Sequence, residues 1–332
     1  MPNPKKLLVI QTAFIGDAIL VSSLIESLKS SYPSIELSLM LRKGNEGLFH
    51  HNPQIQHLYV WEKSQKWKSF IKLLKIVRQE KFDAVFCIQR HFTMGLFAIL
   101  SGAKSKIGFN ENPLSFLFNK KTPHAMGNGK HEVERNLDLA SLLFSEIKLK
   151  EPKLYVNDQD LLAITHFQNE PYVCMAPSSV WQTKQLPVQK WVEMIDKIQY
   201  KVFLLGAPSD KMFIDKLINS CSNKEHVFNL SGKLSLMQSA ALMKNAKMNF
   251  VNDSGPLHLC SAVDAPVVAF FCSTVPRFGF GPRSKVSFII ESDQNLSCRP
   301  CGMHGKKQCP LKHFACGNSI NVDEALKSIN SL

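Results

Sequence analysis

Lys6-Leu7-Leu8-Val9-Ile10-Gln11-Thr12-Ala13-Phe14-Ile15-Gly16-Asp17-Ala18-Ile19-Leu20-Val21 decides the fold. It opens with a short apolar run that lacks polar alternation, the pattern of a strand covered on both faces. It ends in an apolar helix start, and the turn between the two carries Gly16-Asp17. A buried strand handing over to a helix is the repeating step of an open α/β sheet, which presents ligand-binding groups where its strands end. The step recurs where the apolar stretch Met248 to Val251 runs into Asn252-Asp253-Ser254-Gly255-Pro256-Leu257-His258. The two turns are too distant for one nucleotide-binding unit, so two facing domains with a reaction cleft between them are expected.

Working outward, strands are expected at Lys6 to Gln11, Ile35 to Leu41, His57 to Val60 and Ala84 to Ile88, with helices at Ala18 to Ser31, Trp67 to Glu80 and Thr93 to Leu100. A polar passage from Asn110 to Lys130 precedes a helix from Glu132 to Phe144, and Glu151 to Pro171 reads as the connection. The alternation then resumes, with strands at Tyr172 to Met175, Val202 to Leu205, Val227 to Leu230, Met248 to Val251, Val267 to Phe271 and Val286 to Ile290. Helices start near Gln189, Asp210, Leu236 and Gly255. The expected fold class is α/β, two Rossmann-like doubly wound domains in tandem, 1–160 with the linker and 161–332.

The chain of 332 residues exceeds the size at which one core stops growing, which favours two domains of roughly 150 residues. No stretch approaches the roughly 20 apolar residues of a membrane span. Lys5-Lys6 precede only Leu7 to Ile10, too short for a signal-peptide core, so a cytoplasmic protein is expected. A net charge of +13 favours acidic partners without choosing among nucleic acid, anionic lipid headgroups and phosphorylated substrates. Nine cysteines in such a setting read as reduced thiols.

Three positions carry chemistry. Asp17 has a plain role as a helix N-cap, but a carboxylate at the end of the first strand can also take a proton from an acceptor hydroxyl. Ser254-Gly255-Pro256 opens a helix whose first amides suit a phosphate, Asp253 can bond sugar hydroxyls, and His258 reads equally as a packed histidine. Ser178-Ser179-Val180-Trp181-Gln182-Thr183-Lys184 follows a strand and supplies hydroxyls and one ammonium for a diphosphate.

Taken together, Gly16-Asp17, Ser179-Val180-Trp181 to Thr183-Lys184, Leu230-Ser231-Gly232 and Asn252-Asp253-Ser254-Gly255 to His258 resemble, in this order and nearly end to end, the lipopolysaccharide core heptosyltransferases of glycosyltransferase family 9. The resemblance implies a GT-B fold, an N-terminal acceptor-binding domain and a C-terminal nucleotide-sugar-binding domain. It further implies an inverting transfer of heptose from ADP-heptose to a lipid A/core oligosaccharide acceptor. By position it makes Asp17 the catalytic base, Thr183 and Lys184 contacts of the donor diphosphate, and Asp253, Ser254 and Gly255 the sugar and phosphate cradle, with Ser179 and His258 also expected among the donor-binding residues. Catalysis needs no metal in this reading. The chain departs from the family at Pro177-Ser178-Ser179, where Pro-Gly-Ser is common, and at Lys184-Gln185-Leu186-Pro187, where an Arg often follows the Lys.

Asp158-Gln159-Asp160 mimics a metal-holding Asp-x-Asp pair, with helix capping as its plainer role. Cys298, Cys301, Cys309 and Cys316 form a Cys-rich loop at 298–316 that opens with a C-x2-C knuckle, suited to a structural zinc; free thiols or disulfides are the alternatives. Lys66 to Lys75 is a basic amphipathic stretch, a crossover helix that can also touch the inner face of the inner membrane. Arg42, Lys43, Arg90, His91 and Lys104 are expected along the acceptor's approach. A nucleotide-sugar epimerase of the same fold and a basic nucleic-acid-binding protein are the competing functions. Scattered positive charge without a recognition motif argues against nucleic acid.

Overall fold

The computed structural model describes residues 4–331. The chain divides into two compact units, Met1–Tyr155 and Val156–Leu332. Met1 to Asn3 and Leu332, the outer ends of the two expected domains, lie outside the described residues.

Unit 1 contains β1 (Lys6–Gln11), α1 (Ile15–Ser31), β2 (Glu36–Arg42), β3 (His57–Trp61), α2 (Lys66–Gln79), β4 (Ala84–Cys87), α3 (Phe92–Leu100), β5 (Ser105–Phe109), β6 (Lys120–Thr122) and α4 (Glu132–Ser141). Its six strands form one parallel sheet in the order β3-β2-β1-β4-β5-β6. Leu7, Leu8, Val9 and Ile10 are fully buried. Helices therefore cover both faces of β1, which is why its sequence does not alternate. On one face Phe70, Leu73 and Val77 of α2 pack with Met94 and Phe97 of α3 against Leu8, Ile10 and Val85. The Phe70 and Phe97 rings meet edge-on, with centroids 5.2 Å apart.

The polar passage read as an interruption holds β6, and β5 precedes it; neither strand is in the expected set. β6 is a short polar edge strand, and β5 beside it holds only two large apolar residues, so no apolar run marks either. At the start of α4, His131 forms a capping box with Glu134. Glu132, next to it, is buried against His124 Nε2 and Arg135 Nε, each 2.9 Å from its Oε2. Burial pushes that carboxyl up, but the two neighbouring bases outweigh it and hold the group below the ordinary carboxylate range.

The stretch expected as a connection is only partly one. The Lys150 and Lys153 amides donate to Ser27 and Ser22 of α1 at 2.9 Å each, so this part belongs to unit 1. Unit 2 begins with α5 (Asp158–Ile164) and continues through β7 (Tyr172–Ala176), α6 (Val188–Lys197), β8 (Lys201–Leu204), α7 (Lys211–Asn219), β9 (Val227–Asn229), α8 (Leu236–Lys244), β10 (Asn249–Asn252), α9 (Gly255–Ala262), β11 (Val267–Phe271), β12 (Ser287–Glu291), α10 (Ala315–Asn318) and α11 (Val322–Lys327). Its strands are again all parallel, in the order β12-β11-β10-β7-β8-β9.

Each unit thus repeats one winding, in which the first strand lies beside the fourth and the chain reverses direction across the sheet between them. Open α/β sheets bind ligands at that reversal, outside the carboxyl ends of the strands. The reversal falls at β1/β4 in unit 1 and at β7/β10 in unit 2. No helix among the described residues is long and apolar enough to cross a membrane.

Candidate active site

At the reversal of the first sheet the polar ends of β1 and β4 are tied together. The Gln89 amide donates to Gln11 Oε1, which also takes the Ala13 N–H at 3.3 Å. Asn112 Nδ2 donates to the Gln89 carbonyl at 2.8 Å and to the His91 carbonyl at 3.2 Å. These bonds fix the turn that leads into α1. Phe14 occupies the N-cap of α1 and Asp17 stands in its first turn, so Asp17 is not the cap that its sequence context suggested. The half-buried carboxylate still lies where the helix dipole favours negative charge.

Of the five residues expected along the approach, Arg42, Lys43, Arg90 and His91 lie at the carboxyl end of this sheet, and Lys43 is paired with Glu62 at 3.0 Å. Lys104 is not there. It precedes β5, and its ammonium sits 2.7 Å from Asp83, which precedes β4, so it belongs to the opposite edge.

The reversal of the second sheet is more densely built. Asn252, fully buried at the end of β10, donates to the Pro177 carbonyl at 2.9 Å and accepts the Leu186 N–H at 2.8 Å, holding the loop after β7 from both ends. Within that loop Lys184 Nζ lies 2.7 Å from Asp253 Oδ2, and the Thr274 hydroxyl donates to the same oxygen at 2.6 Å. The Asp253 side chain is 6% exposed and that of Lys184 15%, so the pair is shielded from water on most sides.

Thr183 is buried and its hydroxyl is shared. It takes the Lys306 N–H at 2.7 Å and the Ser273 hydroxyl at 2.9 Å. The loop carrying Lys306 also donates the Cys301 N–H to the Ser273 carbonyl at 2.8 Å. Gly305 has φ +75°, and a Cβ there would stand 3.1 Å from both Lys184 Cγ and Thr183 Oγ1, so only glycine lets the backbone come this close. Arg299 fastens the loop that bears Ser273 and Thr274, donating to the carbonyls of Phe271, Cys272 and Thr274 and pairing with Glu291 at 3.0 Å.

Thr183, Lys184 and Asp253 are thus brought together. Ser254 is the N-cap of α9 and Gly255 its first residue, and first-turn amides have no carbonyl within their own helix. Ser179 enters the same loop through its carbonyl, which accepts Gln185 Nε2 at 2.7 Å. His258 lies deeper. It is buried within α9 and meets the Phe280 ring edge-on at 6.3 Å, the packed role its sequence context allowed. Asn252, Ser273, Thr274, Arg299 and Lys306 are absent from the expected set. Ser273 and Thr274 follow the apolar run Val267 to Phe271, so the same strand-end rule would have found them.

The metal motifs separate. Asn157 caps α5, its side chain accepting the Asp160 N–H at 2.7 Å, while Asp158 and Asp160 fill the first turn, so this acidic pair belongs to a helix start. All nine cysteines are free thiols. Among the described residues no three His, Cys, Asp or Glu side chains gather as a metal-holding group.

Known proteins resemble the chain across most of its length. Lipopolysaccharide heptosyltransferase 3 of Escherichia coli K12 is 27% identical over 283 residues, covering 78% of this chain and 80% of that protein. The solved structure of E. coli ADP-heptose lipopolysaccharide heptosyltransferase II superposes with a TM-score of 0.80 at 21% identity, covering 98% of each chain, so the two share the GT-B fold. TibC of enterotoxigenic E. coli, an iron-containing dodecameric glycosyltransferase, matches with a TM-score of 0.60 at 15% identity, covering 99% of this chain and 76% of that one. Glycosyltransferase family 9 (heptosyltransferase) matches residues 70–314, well over half of the sequence, and the chain is a glycosyltransferase belonging to that family.

Proposed function

We propose that this protein transfers heptose from ADP-heptose to the inner core of lipopolysaccharide with inversion at the anomeric carbon, unit 1 serving the acceptor and unit 2 the sugar nucleotide. The reading is carried by the buried Lys184–Asp253 pair at the reversal of the second sheet. An ammonium held there beside the first amides of α9 suits a diphosphate. Asp253 Oδ2 is taken by Lys184 and Thr274, so in this reading its other oxygen faces the sugar hydroxyls.

In the reaction, Asp17 accepts the proton of an acceptor hydroxyl as its oxygen attacks the anomeric carbon from the side opposite the leaving group. The bond from that carbon to the diphosphate oxygen breaks, and ADP departs with the electron pair. Lys184, the Gly255 amide and the hydroxyl-rich loop from Ser179 to Thr183 stabilise the growing negative charge. A lipid-anchored acceptor places this chemistry at a membrane surface in the cytoplasm. Incubating the protein with ADP-heptose and a truncated lipid acceptor should add one heptose to the acceptor, read as its mass. An unchanged acceptor, or a sugar nucleotide altered without acceptor, would overturn the reading.

We further propose that Cys298, Cys301, Cys309 and Cys316, which do not gather as a metal-holding group in this structure, draw together as the ligands of one structural zinc or iron when the ion binds. Three of them line a common cavity of about 320 Å3. The fourth, Cys316, has its thiol pushed up to about 11, first by burial and then by the nearby Cys301, with Cys298 and Cys309 also contributing. Burial pushes the Cys309 thiol up, but the backbone amides from Leu311 to Phe314 outweigh it and hold the thiol below its ordinary range, and Gly302 turns the chain at φ +79° directly after Cys301. Amide donors around a thiolate and a glycine after C-x2-C suit a tetrahedral thiolate site. Such an ion would tether the loop that reaches Thr183 and take no part in transfer. Protein purified without chelator should carry about one metal per chain and lose it in Cys309→Ser; metal-free wild-type protein would refute the assignment.

A further inference from the structure

Gln11 closes β1 and Gln89 follows β4, so the two glutamines stand together at the reversal of the first sheet. Both are buried, 1% and 7% exposed, and neither carries charge. The Gln89 amide nitrogen donates to Gln11 Oε1. Because the Ala13 N–H points at the same atom, that atom must be the oxygen, and this fixes which way both amides are turned. Gln11 Nε2 and Gln89 Oε1 then remain, one donor and one acceptor without a hydrogen bond among the described residues. The hydroxyl of Thr12, which is also buried, makes none either. Water reaches all three atoms, whereas it reaches neither amide atom of the buried Asn136.

The pair is held from behind. Asn112 uses its whole amide on the backbone beside Gln89: Nδ2 donates to the Gln89 and His91 carbonyls, and Oδ1 accepts the Leu114 N–H at 2.9 Å. It lies against the bare α-carbon of Gly95, where a Cβ would collide with it. Buried amides left half-paired cost stability, so a fixed, water-reachable donor and acceptor mark a place that a ligand completes.

Chemistry narrows that ligand. A hydroxyl both donates and accepts, so two neighbouring hydroxyls on a sugar ring satisfy Gln11 Nε2 and Gln89 Oε1 together. A carboxylate only accepts, and would set oxygen against Gln89 Oε1. Phe14 and Phe92 each follow their glutamine by three residues and are exposed at the starts of α1 and α3. The negative faces of such rings suit the C–H face of a neutral sugar. Asp17, in the first turn of the same α1, disfavours an anionic ring. Arg42 ends β2 and Arg90 follows Gln89, so charge elsewhere on a ligand has partners outside the pair.

We propose that Gln11, Thr12 and Gln89 form the floor of the acceptor subsite and select a neutral sugar with two neighbouring hydroxyls against an acidic one. The inference rests on the transferase reading, in which unit 1 serves the acceptor.

The test uses the full-length protein, ADP-heptose and two soluble deacylated core oligosaccharides, one ending in neutral heptose and the other in a sugar whose ring carries a carboxylate. kcat/KM should favour the neutral acceptor by about a hundredfold or more. Gln11→Glu keeps the oxygen that takes the Ala13 and Gln89 N–H groups and turns the outward donor into an acceptor. It should raise KM for the neutral acceptor about tenfold or more while ADP affinity is unchanged. Gln11→Leu should do the same without adding charge. An acceptor lacking one of the paired hydroxyls should lose about tenfold on the wild type and nothing further on either variant, a coupling that a merely structural glutamine would not show. Equal use of both acceptors, preference for the acidic one, or a hydroxyl penalty that persists in the variants would overturn the proposal. Calorimetric binding of the neutral acceptor, weakened by Gln11→Glu in protein that transfers heptose to neither, would remove the heptosyltransferase reading and leave the subsite standing. Binding of neither acceptor would overturn both.

Discussion

Asp17→Asn is expected to lower turnover by about a thousandfold while ADP affinity stays within about twofold of wild type. The substitution keeps the shape of the side chain and removes the negative charge that lets it take the acceptor proton. Asp17 stands in the first turn of α1, in a different unit from Lys184 and Asp253, so the groups assigned to the diphosphate remain as they are. The charge lost from a first helical turn costs about 0.3–1 kcal/mol, too little to unfold unit 1. Calorimetric ADP titration and single-turnover transfer therefore separate the two effects. Near-normal turnover in the variant would eliminate Asp17 as the base.

Lys184→Ala is expected to act twice. Removing the ammonium takes away the main positive charge assigned to the departing diphosphate, which should cost about a hundredfold or more in turnover and weaken ADP binding. It also strands Asp253, whose side chain is 6% exposed and keeps the Thr274 hydroxyl as its neighbour on Oδ2. Breaking a buried pair by removing one partner destabilises by about 3–5 kcal/mol, and the lower end applies because Lys184 retains some access to water. The combination Lys184→Ala with Asp253→Asn removes the stranded charge. Its denaturant midpoint should recover most of the loss while turnover stays low. A double variant no more stable than Lys184→Ala would show that the pair is not electrostatically coupled in the folded state.

What the sequence disclosed follows from how each feature is encoded. Leu7 to Ile10 and Val267 to Phe271 are buried on both faces, so a continuous apolar run marks them in any reading frame. β5 was missed because Ser105-Lys106-Ile107-Gly108-Phe109 holds only two large apolar residues, and Gly108 is dictated by the Phe118 ring packed onto its α-carbon, a contact outside the strand. The site behaves similarly. Thr183, Lys184, Asp253 and Gly255 were legible because each closely follows the end of a buried strand. Arg299 and Lys306 were not, since their roles arise from bonds to backbone and hydroxyl groups far away in sequence. Lys104 was misassigned for a related reason: a helical or strand pattern does not say which end of the sheet a flanking residue reaches.

The hydrogen bond from Lys306 to Thr183 joins residues 123 positions apart. Gly305 and the Cys301 amide close around the same loop from the same late segment. On a ribosome the early strands of unit 2 emerge and pair long before that segment exists, because chains fold as they are made and distant contacts form last. A chain lacking that segment would therefore hold the whole second sheet while the loop around Thr183 and Lys184 lacks one wall. The loop after β7 thus takes its final form only once that segment has closed on Thr183.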